Sequence, residues 1–156
     1  MNQSEKRLFL IQSLLNERPS CQKQSIPADS ERQKILLRGL MNVRRPAHIG
    51  TEFLQVQDEY LQNETAAKGI TDIAELTAMQ PGLYLWQGDI TTLKCDAIVN
   101  AANSGMTGCY IPNHRCIDNA IHTFAGVELM EQQGYPEPTG QAKITPAFNL
   151  PCRYVL

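Results

Sequence analysis

WQGDITTLKCDAIVNAANSGMTG, residues 86–108, decides the fold class, because it marks where the chain changes character. Within it DAIVNAAN (96–103), like LYLW (83–86) at its leading edge, is a short apolar run of the kind that forms buried strands. Ahead of it, apolar residues recur at helical spacing instead. Behind it, Ile117, Ala120, Ile121, Phe124, Ala125, Leu129 and Met130 fit one helix over 116–132 with a broad apolar face. GYPEPTG (134–140) reads as a loop, KITPAFNL (143–150) as a strand with its exit, and PCRYVL (151–156) as the start of a further apolar element. Helices, then strands alternating with a helix, predict an α/β fold with an N-terminal helical extension.

The extension covers residues 1–80 and the α/β portion 81–156, divided at Pro81-Gly82. Leu8, Phe9, Ile11, Leu14 and Leu15 give a first amphipathic helix that Pro19 ends. CQKQSIPADS (21–30) is a polar linker whose Asp29 or Ser30 caps a second helix carrying Ile35, Leu36, Leu37, Leu40 and Met41, stopped by Pro46. Thr51 opens a third, with Phe53, Val56, Tyr60 and Leu61 on one face as far as Gly69. TDIAEL (71–76) adds a brief turn. There is no internal repeat, which excludes a solenoid.

Composition narrows the function classes. At 156 residues and 42% hydrophobic content the chain suits a globular domain of ordinary size. A net charge of -2 offers nothing to a phosphate backbone, so nucleic acid is not an expected partner. The apolar cluster Leu8–Leu15, broken by Gln12 and Ser13, is too short for a membrane span and lacks a cleavage signature, so no membrane partner is expected. Five cysteines without an export signal point to reduced thiols and a cytoplasmic location.

Two of those thiols sit with a histidine in GCYIPNHRC, residues 108–116. Thiolate and neutral imidazole are zinc ligands, and Cys109, His114 and Cys116 supply three from one loop. Three protein ligands leave a fourth position for water or substrate, as in catalytic zinc sites. The Cys-x4-His-x-Cys spacing is not a familiar finger pattern, and ordinary packing cysteines beside a solvated histidine is the competing reading. Cys21, Cys95 and Cys152 have no local metal partner and read as packing or surface thiols.

The stretch 86–108 closely resembles the opening of the macrodomain family, which binds ADP-ribose. HRCIDNAIHTFAG (114–126) resembles that family's next segment, and GQAKITPAFNLPCRYVL (140–156) its following strands. GCYIPNHRC is similar to the zinc-dependent branch, whose members remove ADP-ribose from proteins; LRGLMNVRRP and EFLQVQDEYL are similar to that branch's helical extension. The resemblance, over residues 35–156, implies a macrodomain-like three-layer α/β/α architecture with a mixed sheet. It implies one zinc ion, held by Cys109, His114 and Cys116, and ADP-ribose and mono-ADP-ribosylated protein as partners. The activity implied is a hydrolase; the alternatives are a non-catalytic ADP-ribose reader and an interaction module with structural zinc. The family's later glycine-rich segment has no match here, so the α/β portion is expected to be incomplete.

Roles follow position by position. Asp89 resembles the acceptor of the adenine amino group, with Ile90 offering its backbone, although Asp after Gly also suits an Asx-turn. Asn103 resembles the amide that faces the distal ribose, where paired donor and acceptor suit vicinal hydroxyls. Asn100 either faces ligand or holds the loop through the backbone. Asp118 lies where hydrolytic relatives have a water-activating aspartate, and it equally suits the first turn of a helix. His122, on the same helix face, reads as a core-edge histidine. Gly105 and Gly108 allow close approach to a ligand or a tight turn.

Overall fold

The computed structural model describes residues 1–17, 25–133 and 136–156. The expected helix stop at Pro19 and the thiol of Cys21 lie outside the described residues. Three helices come first: α1 (Gln3–Asn16), α2 (Ser30–Asn42) and α3 (Thr51–Lys68). The first two begin where a side chain satisfies free N–H groups of the first turn, whereas α3 starts at Gly50 without a side-chain cap. Asn2 and Glu5 form a reciprocal capping box on α1, and Asp29 accepts from Arg32 N at 2.8 Å on α2. Gly69, at φ 87°, ends α3. The apolar faces of the three meet in one core that includes Leu10, Ile11, Leu37, Phe53 and Leu61. Val127, from the far side of Pro81-Gly82, completes that core, so extension and α/β portion share packing.

The rest is built from short strands: β1 (Thr71–Asp72), β2 (Ala78–Gln80), β3 (Leu83–Tyr84), β4 (Leu93–Lys94) and β5 (Ala97–Ile98). Helices α4 (Ile117–Ala125) and α5 (Val127–Gln133) follow, then β6 (Thr145–Pro146) and β7 (Tyr154–Val155). β7 lies between β5, to which it runs parallel, and β6, to which it runs antiparallel. The parallel pairing requires a crossover, and α4 and α5 supply it. A second core fills the space between this mixed sheet and α4, with Ile98, Ile121, Leu129 and Val155 at its centre. The fold class is α/β, as expected.

Three local expectations need correction. LYLW is not a buried strand: Gly82, at φ 75°, folds Leu83–Tyr84 back onto Ala78–Gln80 as an exposed antiparallel pair. In DAIVNAAN only Ala97–Ile98 is strand, and alternation decides burial: Ile98 faces the core while Val99 is exposed. The helix expected over 116–132 is two helices, because Gly126 takes φ 101° and ψ 175°, a region essentially open only to glycine. An ideal Cβ there would stand 2.6 Å from Gln57 Nε2. That close approach lets Gln57 Oε1 accept the Val127 N–H at 3.0 Å and start α5.

Candidate metal centre and ligand face

Cys109, His114 and Cys116 converge. One ligand atom from each lies within 4.8 Å of the other two, and Cys109 Sγ is 3.4 Å from His114 Nδ1. A tetrahedral site with zinc's bond lengths has ligand–ligand edges of roughly 3.3–3.8 Å, so that pair already stands at ligand spacing. Two thiols and an imidazole, half-buried to exposed, fit the metal that the sequence leads one to expect.

The loop holding these groups is shaped by turns and by α4. His114 N donates to Ile111 O at 3.2 Å, and Asn113 takes a left-handed φ of 56°. Cys116 is the N-cap of α4, its sulfur accepting from Asn119 N at 3.4 Å. Burial pushes the Cys116 thiol up, and Cys109 beside it adds to the shift against that hydrogen bond. From α2, Arg38 reaches Asn119 Oδ1 and His114 O, and Asn42 Oδ1 accepts from Asn113 N at 3.0 Å.

The expected ligand-contacting residues surround this loop in two groups. Asn103 closes 103–108 on itself: its Nδ2 donates to Gly108 O at 2.9 Å and its Oδ1 accepts from Gly105 N at 3.0 Å. Gly108, at φ 78°, lies against the His122 ring, where an ideal Cβ would be 2.9 Å from Cγ. Asp118 is buried in the first turn of α4, its Oδ1 accepting from Asn100 Nδ2 at 2.8 Å and facing His122 Nε2 at 3.4 Å. Asn100 N donates to Leu156 O at 2.7 Å, which ties this cluster to the sheet. The N–H groups of Asn100 are thus engaged within the chain, while its buried Oδ1 has no partner among the described residues.

Asp89 stands in the second group, capping the 3-10 turn Ile90–Thr92. Its Oδ1 accepts from Thr91 N at 3.0 Å and Thr91 Oγ1 at 2.6 Å, while Oδ2 pairs with Lys68 Nζ at 3.0 Å. Burial opposes its ionisation, yet the bonds from Thr91 and Lys68 prevail and hold the carboxyl below its ordinary range. Ile90 is partly buried against the second core. The Asx-turn geometry is therefore present, and Oδ2 is the oxygen aimed away from the turn.

Beside the 109–116 loop runs a groove of about 650 Å³, bounded by α2, α3, α4 and the loop residues Asn113 and Arg115. Lys34, Arg38, Lys68 and Arg115 line it together with one carboxylate, Glu64, which pairs with Lys34 at 3.1 Å, and Tyr60 and Phe124 add aromatic rings. The four basic residues, Asn42 and Asn119 were not singled out from sequence, and Tyr60 and Phe124 read there only as parts of apolar helix faces. Arg38 meets Asn119 across 81 residues and Asn42 meets Asn113 across 71, so no local pattern marks those contacts. Among the described residues, no helix is long and apolar enough to cross a membrane.

Comparison with known proteins finds a family model and several relatives that this chain resembles. Residues 99–156 match the family model described as Macro domain. Across its whole length the chain is 59% identical to a protein-ADP-ribose hydrolase of Treponema medium, covering 64% of that protein. Over 95% of its length it is 44% identical to a protein-ADP-ribose hydrolase of Staphylococcus aureus strain MRSA252, covering 58% of it. A Macro domain-containing protein of Ralstonia nicotianae is 53% identical over 72 residues, 45% of this chain and 39% of that protein. The chain thus spans about three fifths of the length of the two hydrolases.

Proposed function

We propose that this chain carries the zinc and substrate-recognition part of a hydrolase that removes ADP-ribose from mono-ADP-ribosylated protein side chains. The observation that carries the reading is the convergence of Cys109, His114 and Cys116 in one loop, between the Asn103 turn and the Asp118 helix terminus. The names of the Treponema and Staphylococcus relatives support the reaction class. A reducing compartment such as the cytoplasm suits the site, since both cysteines must stay thiols to bind metal.

Zinc, when bound, supplies a Lewis acid that polarises an oxygen or orients the ribose at the bond to be broken. The chain's own residues do the rest. Asp89 Oδ2 accepts the adenine amino group and Ile90 offers backbone beside it. Asn103, its amide fixed by Gly105 and Gly108, presents the ribose-facing edge of its loop next to Cys109. Asp118 accepts a proton from water, its carboxyl oriented by the Asn100 amide.

The test compares wild type with His114→Ala in three measurements: zinc content, ADP-ribose calorimetry, and release of ADP-ribose from a modified protein. The reading expects about one zinc per wild-type chain. It expects the variant to retain ADP-ribose binding while losing release. Parallel loss of binding and release would make the metal a scaffold, because a loop built around zinc collapses without it. Equal release by the variant would reject zinc-dependent chemistry, and a wild type without zinc would reject the site. If wild type is inert in the release assay, the same variant is compared in a chain extended to the relatives' length.

A further inference from the structure

We propose that Arg38, acting through Asn119, is the positioning residue that holds all three zinc-ligand residues in register, so that the N-terminal helix α2 sets the affinity of the metal site. This rests on the zinc reading above.

Arg38 lies 71 residues before the first of those ligands in sequence, and reaches them through a planar fork. Its Nε and Nη2 donate to Asn119 Oδ1 at 3.1 and 2.8 Å, and Nη2 also donates to His114 O at 3.0 Å. Asn119 is fully buried, and its other groups turn toward the loop. Its Nδ2 donates to Ile111 O at 3.1 Å and to Cys109 O at 3.4 Å, and its backbone N–H points at Cys116 Sγ at 3.4 Å. One Arg–Asn pair therefore contacts the backbone of Cys109, the backbone of His114 and the sulfur of Cys116.

The rest of α2 presses on the same loop. Asn42 accepts the Asn113 N–H, and its Nδ2 donates to Thr123 Oγ1 at 3.0 Å on α4. A Cβ on Gly39 would come within 3.1 Å of Asn113 Nδ2, so the helix backbone and loop are in close approach. Asn113 sits immediately before His114 in the strained left-handed conformation. A three-residue ligand set spread over eight positions of irregular chain has little rigidity of its own. Groups behind the ligands that fix their orientation are what tune metal affinity. A guanidinium suits this role better than an ammonium, because its donors lie in one plane at set angles toward separate acceptors.

The test uses the whole chain, with zinc affinity measured by chelator competition for wild type, Arg38→Met and Arg38→Lys. Thermal unfolding of each metal-free protein runs in parallel. Arg38→Met keeps the aliphatic stem packed but removes every donor. It is expected to weaken zinc roughly 10–100-fold, with a metal-free melting temperature close to that of wild type. Arg38→Lys is expected to recover only part of the loss. Cobalt-loaded Arg38→Met should also show a shifted visible spectrum, which a contact serving only fold stability would not produce. Wild-type affinity in Arg38→Met would overturn the proposal while leaving the zinc site standing. So would a loss matched by an equal loss of metal-free stability. Should Arg38→Met not fold, Arg38→Lys with wild-type affinity and spectrum overturns it. Absence of zinc from wild type would overturn the metal reading itself, and this inference with it.

Discussion

Lys68 Nζ stands 3.0 Å from Asp89 Oδ2 and 3.3 Å from the centroid of the Phe124 ring. One ammonium thus joins the end of α3 to the Asp89 turn and to the wall of α4. The cation–π contact and the ion pair share a donor, so a change at any of the three is felt by the other two.

Acid should weaken this junction. The folded Asp89 carboxyl lies below its ordinary value. A lowered folded pKa gives stability that is fully present above the unfolded value, about 3.9, and is lost as pH falls through the folded value. Wild type is therefore expected to exceed Lys68→Met in stability at neutral pH, and the gap should close below about pH 4. Both side chains are a third to a half exposed, which keeps the gap within about 1 kcal/mol. Urea unfolding at pH 7 and at progressively lower pH measures it; a gap that widens in acid would contradict the assignment.

Asp89→Ala is expected to weaken ADP-ribose binding by roughly 1.5–3 kcal/mol, the cost of a charge-assisted hydrogen bond. Zinc content should not change, since Asp89 belongs to the Lys68–Thr91 cluster and not to the loop of Cys109. Calorimetry with elemental analysis reads both. Unchanged affinity in a folded variant would leave Asp89 as a turn-shaping residue alone.

Gly126→Ala should destabilise the fold where its two cores meet. The backbone conformation costs a non-glycine residue about 1–3 kcal/mol. The new Cβ also displaces Gln57, leaving the buried Val127 N–H unpaired at a further cost of about 1–3 kcal/mol. A melting temperature lower by several degrees is the expected result. An unchanged melting curve would mean that the α4–α5 break is not held by Gln57.

Thiol alkylation should sort the cysteines by environment. Burial pushes the Cys152 thiol up to about 11, and it is only 6% exposed. At pH 8 it is expected to react slowly with or without zinc. Cys109 and Cys116, half-buried, should react in the metal-free protein and become protected when zinc is added. Peptide mass spectrometry after timed labelling gives each rate. Fast labelling of Cys152 in the native protein would contradict its burial.

How much was legible in the sequence varies with the range of the forces involved. The three N-terminal helices were readable because apolar spacing and caps such as Asp29 act within a few residues. The convergence of Cys109, His114 and Cys116 was readable because the three lie within eight positions, and the place of Asp118 because it sits in the first turn of its own helix. The strands were read too long. A run such as DAIVNAAN shows apolar content but not which alternate residue meets a partner, and β7 decides that for Ile98 and Val99.

By itself, then, the sequence determined the α/β class, the helical extension and a compact cluster of two thiols and an imidazole, all consequences of local spacing and side-chain chemistry. Tertiary structure alone decided what stands behind those ligands. Arg38 meets Asn119 across 81 residues, Gln57 meets Val127 across 70, and Lys68 meets Asp89 across 21. Such pairs form only once the packing of apolar faces has brought distant segments together, and a hydrogen bond of about 1 kcal/mol cannot organise them unaided. Burial chooses the neighbours, and the polar groups then fix the geometry that the site uses.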